Sequence, residues 1–142
     1  MIIRKATISD YNTIVSIWEA AGLPYRPLGR DSRESIEKEM KKGFGYFLIA
    51  EVDGKVVGLV LLTHDGRKGW INRLAIIPEF RKQGIGKALV DKAESILDEL
   101  GIGIYACLIE DYNKSSLEVF QKLGYNEFPG MHYLTKRKFP GI

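Results

Sequence analysis

Leu74-Ala75-Ile76-Ile77-Pro78-Glu79-Phe80-Arg81-Lys82-Gln83-Gly84-Ile85-Gly86-Lys87-Ala88-Leu89 is the stretch whose reading decides how this chain folds. An apolar run from Leu74 to Ile77 is closed by Pro78, Arg81 and Lys82 make the turn basic, and Gly84 and Gly86 open a long amphipathic helix. Glycine lets a backbone turn tightly and come close to a ligand. The first amides of a helix have no intrahelical partner, and the helix dipole adds partial positive charge beside them. A strand, a glycine turn and a helix in that order make an anion cradle, here backed by Arg81, Lys82 and Lys87. The ligand expected there carries phosphate.

Two common phosphate-binding patterns do not fit. A P-loop would need glycine where Arg81 stands and a hydroxyl residue where Ala88 stands. The dinucleotide fingerprint fails because Leu89 occupies its third glycine position. An arginine followed three and five residues later by glycine does fit, as Arg81, Gly84 and Gly86, and the flanking Leu74, Ala75, Pro78, Phe80, Ile85 and Leu89 extend the match. On these residues the chain resembles the GNAT superfamily of acyl-CoA-dependent N-acyltransferases, whose pyrophosphate loop has this form.

Working outward, Tyr46 to Val52 and Val56 to Thr63 are apolar runs joined by Asp53-Gly54, a strong hairpin signal. Asp65 to Gly69 is a second turn, leading into a strand from Trp70 to Ile77. Upstream, Ile2 to Ala6 reads as a short strand. Ser9 is placed as the cap of a helix with Tyr11, Ile14, Val15, Trp18 and Ala21 inward and Gly22 as its stop. A Pro/Gly-punctuated loop follows from Leu23 to Arg30, and Asp31-Ser32-Arg33-Glu34 starts a second helix ending near Lys42. Downstream, the helix after the glycine turn carries Ile85, Leu89, Ala93, Ile96, Leu97 and Leu100 on one face, with Gly101 as its stop. Ile102 to Ile109 is expected as a strand parallel to its predecessor. A short helix with Leu117, Phe120 and Leu123 inward and a last strand from Met131 to Lys138 complete the chain. The expected class is α+β (α/β mixed): one domain over residues 1–142, with a central mixed, mostly antiparallel sheet flanked by helices. The element order coincides with that of the GNAT fold, so the resemblance spans essentially the whole chain.

Composition bounds the function. A chain of 142 residues with 45% hydrophobic and 27% charged residues sits in the soluble globular class. The net charge of +3 is mild, and acidic residues are interspersed with basic ones, so no nucleic-acid face is expected. No apolar run approaches the ~20 residues of a spanning helix, and Met1 to Lys5 lacks a signal-peptide pattern. No membrane partner is expected. The single cysteine, Cys107, reads as a buried strand residue and suits a reducing cytoplasm. His64 and His132 lack metal-ligand spacing, and no metal is expected.

Acyl transfer from a thioester to an amine needs a fixed thioester, an oxyanion donor, a neutral amine and a protonated leaving thiol. The resemblance implies acetyl-CoA as co-substrate, held by the loop Arg81, Lys82, Gln83, Gly84, Ile85, Gly86 and Lys87. It further implies that backbone groups of Leu74, Ala75 and Ile76 pair with the pantetheine arm and polarise the acyl carbonyl. A second family signature is met by Asn113, Ser116, Phe120, Gly124 and Tyr125. There the resemblance gives Asn113 a bond to the pantetheine arm. The family's frequent tyrosine acid is replaced by Phe120, and a phenyl ring donates no proton.

Tyr112, Tyr125 and Tyr133 are the nearest substitute hydroxyls in sequence. The base is equally open, since neither Trp70-Ile71-Asn72-Arg73 nor Tyr105 to Ile109 contains a carboxylate. Asn72 could position a water, and Glu110 and Asp111 follow the second strand. Tyr25, Arg26 and Arg30, in the loop between the first two helices, are the candidate acceptor contacts, the arginines suiting a carboxylate. The reading is an N-acetyltransferase acting by direct transfer on a primary amine of a small molecule or protein. An acyl-CoA-binding sensor or scaffold with weak catalysis is the alternative. Pairing into a homodimer through sheet edges or terminal strands is left open.

Overall fold

Asp53 at φ +50° and Gly54 at φ +78° form a two-residue reversal of the chain. Two successive left-handed residues are what a two-residue hairpin turn requires, and Asp-Gly adopts them at low cost. The computed structural model, which describes residues 1–142, places β2 (Gly45–Val52) and β3 (Lys55–His64) on either side of this turn. β1 (Ile2–Lys5) lies outside β2, and β4 (Gly69–Ile76) follows β3 through the second turn. The sheet order is β1-β2-β3-β4-β5, antiparallel except for the last pair, where β5 (Tyr105–Ala106) runs parallel to β4.

Four helices cover the sheet: α1 (Tyr11–Ala21), α2 (Arg33–Lys42), α3 (Ile85–Glu99) and α4 (Lys114–Lys122). Phe47 to Ala50 in β2 and Val57 to Val60 in β3 are buried without interruption. Such continuous burial marks strands covered on both faces. Phe47 meets Trp18 of α1, ring centroids 6.0 Å apart. Alternation along the strand then gives the other face to α3, where a Cβ at Gly69 would collide with the side chain of Leu97. Glycine at 69 is what lets α3 lie so close to β4.

Several expectations are corrected. Thr7, not Ser9, begins the first helical segment: Asp10 Oδ2 accepts the Thr7 N–H at 2.8 Å across a 3-10 turn (Ile8–Asp10). Ile17 joins Ile14 and Trp18 in the core, and Leu100 is exposed because it ends the helix instead of continuing its face. The strand expected over 102–109 shrinks to Tyr105–Ala106, because β4 and the chain beyond Ala106 diverge. No strand forms over 131–138: β5 is too short to offer a long edge, and Met131, Tyr133 and Leu134 remain exposed.

Candidate active site

The turn between β4 and α3 is shaped by left-handed residues. Lys82 has φ +60° and Gly84 φ +81°, the latter as the N-cap of α3. None of the backbone N–H groups of residues 82–87 has an acceptor within the protein, and the first to find one is Ala88, 3.0 Å from the Gly84 carbonyl. Six consecutive donors thus stand at the positive end of a fifteen-residue helix. Arg81 Nε donates to the Ile76 carbonyl at 3.1 Å, pinning the turn to the end of β4. Lys87 pairs with Asp91 at 2.5 Å on the exposed side of α3.

The cradle opens beside a cleft. A Cβ at Gly86 would lie 3.5 Å from Leu74 Cδ2 and 3.8 Å from Val119 Cγ1, so the first turn of α3 touches both β4 and α4. Leu74 also lines a cleft of about 410 Å³ that forms where the chain after β5 leaves β4. Beyond Trp70 the second edge of β4 has no strand partner. Asn72 Oδ1 accepts the Leu108 N–H at 2.8 Å and so bridges the widening gap with a side chain.

At the far end of the cleft the wall is charged. The β3–β4 register passes from Leu59↔Ala75 to Leu61↔Asn72, leaving one extra residue on β4. That bulge holds Arg73 at φ +57°, a conformation costing roughly 1–2 kcal/mol for a residue with a Cβ. Its side chain lies 4.2 Å over the Trp18 ring and donates to Asp31 Oδ2 at 3.3 Å and the Pro24 carbonyl at 2.9 Å. Arg73 Nε is buried without a partner, and desolvation pulls the guanidinium pKa below its ordinary value. Asp31 is itself buried and also accepts the Arg26 N–H at 2.7 Å, with Arg30 Nε 3.9 Å away. The α1–α2 loop is thereby fastened to the β4 bulge.

The residues singled out from sequence distribute unevenly over this site. Leu74, Asn72, Asn113, Phe120, Arg26, Arg30 and Glu110 line the cleft. Ala75 and Ile76 pair with Leu59 and Gly58 on the β3 side, leaving their other strand edge open. Asn113 caps α4, its Oδ1 accepting the Ser116 N–H at 3.2 Å, which leaves its amide nitrogen free. Asn72 is a strand bridge first, since its carbonyl oxygen is occupied. Tyr125 lies outside the cleft wall: its hydroxyl donates to Glu94 Oε2 at 2.7 Å, its ring packs edge-on against Phe120 at 5.0 Å, and burial and Glu94 raise its pKa. Its hydroxyl proton is thus directed at Glu94. Tyr25 also lies off the wall, donating to Glu19 at 2.6 Å and packing 5.8 Å from Trp18.

Tyr112 and Tyr133 reach the cleft as exposed residues. Cys107 is half-buried on the cleft wall, not mid-strand, and burial pushes its thiol up to about 11, so it stays protonated near neutrality. Two groups escaped the sequence reading altogether. Arg73 gave no local signal, because a bulge is a property of strand pairing. Glu39, on the cleft side of α2, was detectable only through its position one turn after the buried Ile36.

Residues 13–125 match the sequence model of the acetyltransferase (GNAT) family. Among solved structures, the chain is similar to the PaiA N-acetyltransferase from Thermoplasma acidophilum in complex with coenzyme A, with 25% identity and a TM-score of 0.73 over 86% of this chain and 87% of that one. It shares its fold with AAC(6')-Iy in complex with the bisubstrate analogue CoA-S-monomethyl-acetylneamine, at 18% identity and a TM-score of 0.79 over 96% and 97% of the two chains. The ribosomal-protein-alanine N-acetyltransferase from Brucella melitensis biovar Abortus shares it too, at 15% identity and a TM-score of 0.77 over 96% and 100%.

Proposed function

Because this chain belongs to the acetyltransferase (GNAT) family, we propose that it moves an acetyl group from acetyl-CoA to a primary amine of a small molecule or protein by direct transfer. The observation that carries this reading is the run of unpartnered amides from 82 to 87, opening beside a cleft large enough for a second substrate. These amides, with Arg81, Lys82 and Lys87, are the groups suited to a pyrophosphate. Leu74, Ala75 and Ile76 lie on the open edge of β4, where backbone groups can pair with an extended pantetheine arm and polarise a carbonyl. Asn113 lines the cleft with its amide nitrogen unbonded, and Phe120 gives the cleft an apolar wall. Arg26 and Arg30, exposed at the cleft mouth, fit an acceptor that carries a carboxylate.

The chemistry rests on positioning. The Cys107 thiol is neutral, so direct attack by the acceptor amine is favoured over a covalent enzyme intermediate. A thiol of ordinary pKa, ~8.5, leaves tolerably without a dedicated acid. No helix is long and apolar enough to cross a membrane, and the composition fits action in the cytoplasm. One observation favours a second reading, an acyl-CoA-binding module with slow turnover: Phe120 has no hydroxyl and that of Tyr125 is tied to Glu94. Release of coenzyme A over a panel of amines separates the two, and activity gained by Phe120→Tyr would favour the second.

Calorimetry with acetyl-CoA tests the cradle. The wild type is expected to bind with micromolar affinity, roughly −8 kcal/mol. Gly84→Glu, which puts bulk and negative charge at the helix start, is expected to abolish binding while keeping the fold. Absence of wild-type binding overturns both readings.

A further inference from the structure

Three carboxylates border the cleft, and two are accounted for. Asp31 is committed to Arg73, to the Arg26 N–H and, more distantly, to Arg30. Glu110 is exposed at the mouth, where water answers its charge. The third is Glu39. It is half-buried on α2 and makes no hydrogen bond and no ion pair, whereas Glu34 and Glu37 of the same helix pair with Lys38 at 3.1 Å and Lys41 at 3.4 Å. A carboxylate withdrawn from water and left without a partner is destabilising, and such groups gather at functional sites.

Its surroundings set its chemistry. Desolvation raises the Glu39 pKa above the ordinary carboxylate value and Asp31 adds to this, while Arg73 from β4, Lys42 from its own helix and Arg30 from the preceding loop oppose it. The group therefore titrates closer to neutrality than a surface glutamate, while remaining able to accept a proton. Near neutrality a primary amine arrives as its ammonium ion, which cannot attack a thioester until it loses a proton.

We propose that Glu39 receives the acceptor's ammonium group in the cleft and takes its proton, the general base of the transfer. This rests on the reading above that the cleft holds the acceptor. One N–H bond of the ammonium breaks and its proton passes to the Glu39 carboxylate, freeing the nitrogen lone pair. The C–N bond then forms while the thioester C–S bond breaks, and the sulfur leaves with the electron pair. The second proton lost by nitrogen ends on that sulfur, and Glu39 returns its own to water. The sum is an ammonium and an acyl thioester giving an amide, a thiol and one proton. Neither β4 nor the chain after β5 has to supply a carboxylate, which agrees with Asn72 and Leu108 standing where the gap opens.

The test uses the full chain saturated with acetyl-CoA, so that failure of the cofactor reading appears separately, as no calorimetric binding. Coenzyme A release is followed against pH with spermidine, L-lysine and an alanyl peptide for wild type, Glu39→Gln and Glu39→Asp. Glu39→Gln is expected to lower kcat/KM by about 10²-fold and to move the rising limb toward the pKa of the amine itself. Acetyl-CoA affinity stays within about twofold, and Glu39→Asp restores part of the rate. A loss below about threefold with the limb unmoved overturns the proposal. If none of the three amines turns over, carbon-13 NMR of labelled glutamate decides. The resonance absent from Glu39→Gln must titrate above the others and shift on adding one of these amines to the acetyl-CoA complex. No shift with any of them overturns it.

Discussion

The start of α3, beside the cleft, and the α2 side of the cleft are made of different material. At the α3 end the polar groups are backbone amides of consecutive residues, 82–87, without acceptors in the protein and held in shape by left-handed Lys82 and Gly84. At the α2 end they are side chains from separate segments, with Asp31 before α2, Glu39 within it and Arg73 on the β4 bulge. The first end needs only a local conformation. The second exists only once the whole sheet and both N-terminal helices have assembled, and its charges are partly withdrawn from water. An amide cradle suits a ligand part common to many reactions, whereas an assembled charge cluster suits selection of one acceptor.

The largest effect should come from breaking the assembled end. In Arg73→Ala, Asp31 would keep the Arg26 N–H but lose the guanidinium at 3.3 Å, leaving a buried carboxylate with Arg30 at 3.9 Å. Losing one partner of a buried ion pair costs about 3 kcal/mol or more, readable in urea unfolding. Arg73→Lys keeps the charge without the fork that reaches Asp31 and Pro24 together, and should recover only part of that loss. A cost for Arg73→Ala below about 1 kcal/mol would mean that the bulge, not the pair, holds the loop.

This contrast also explains what could be read in advance. Arg81, Gly84 and Gly86 announce their end because glycine reports backbone geometry wherever it stands, and that geometry is complete within a few residues. The Asp53-Gly54 turn and the buried runs of β2 and β3 were legible for the same reason. Arg73 was not, since a residue at φ +57° looks like any strand arginine until pairing with β3 reveals the extra residue. The bond from the Tyr125 hydroxyl to Glu94 on α3 was not legible either, because proximity in sequence to the Asn113 signature says nothing about which way a hydroxyl points. The tail from Met131 failed as a strand because apolar alternation needs an edge to pair with, and β5 offers two residues.

A smaller effect sharpens the cradle itself. Gly84 and Gly86 look alike in sequence but have different backbones. Gly84 has φ +81° with open space around its Cβ position, whereas Gly86 is helical and a Cβ there would make only ordinary contacts with Leu74 and Val119. Gly84→Ala should therefore cost roughly 1–2 kcal/mol through backbone strain alone. Gly86→Ala should gain up to about 0.8–1 kcal/mol from helix propensity. Thermal unfolding checks the sign: the melting temperatures should move in opposite directions. Destabilisation by both would show that the first turn of α3 cannot accept even a methyl group.

The smallest effect separates two duties of one residue. The Oδ1 of Asn113 caps α4 through the Ser116 N–H, while its amide nitrogen is left unbonded on a residue that lines the cleft. Aspartate caps a helix as well as asparagine does and adds a favourable charge at the N-terminus, so Asn113→Asp should leave stability within a few tenths of a kcal/mol of wild type. It also removes the only side-chain donors at that position. Loss of one such hydrogen bond is worth about 1 kcal/mol, or about a fivefold weaker Kd for acetyl-CoA. Asn113→Ala removes both duties and should additionally lose about 1 kcal/mol of stability. If Asn113→Asp binds acetyl-CoA as tightly as wild type, the residue is only a cap, and its amide nitrogen takes no part in holding the ligand.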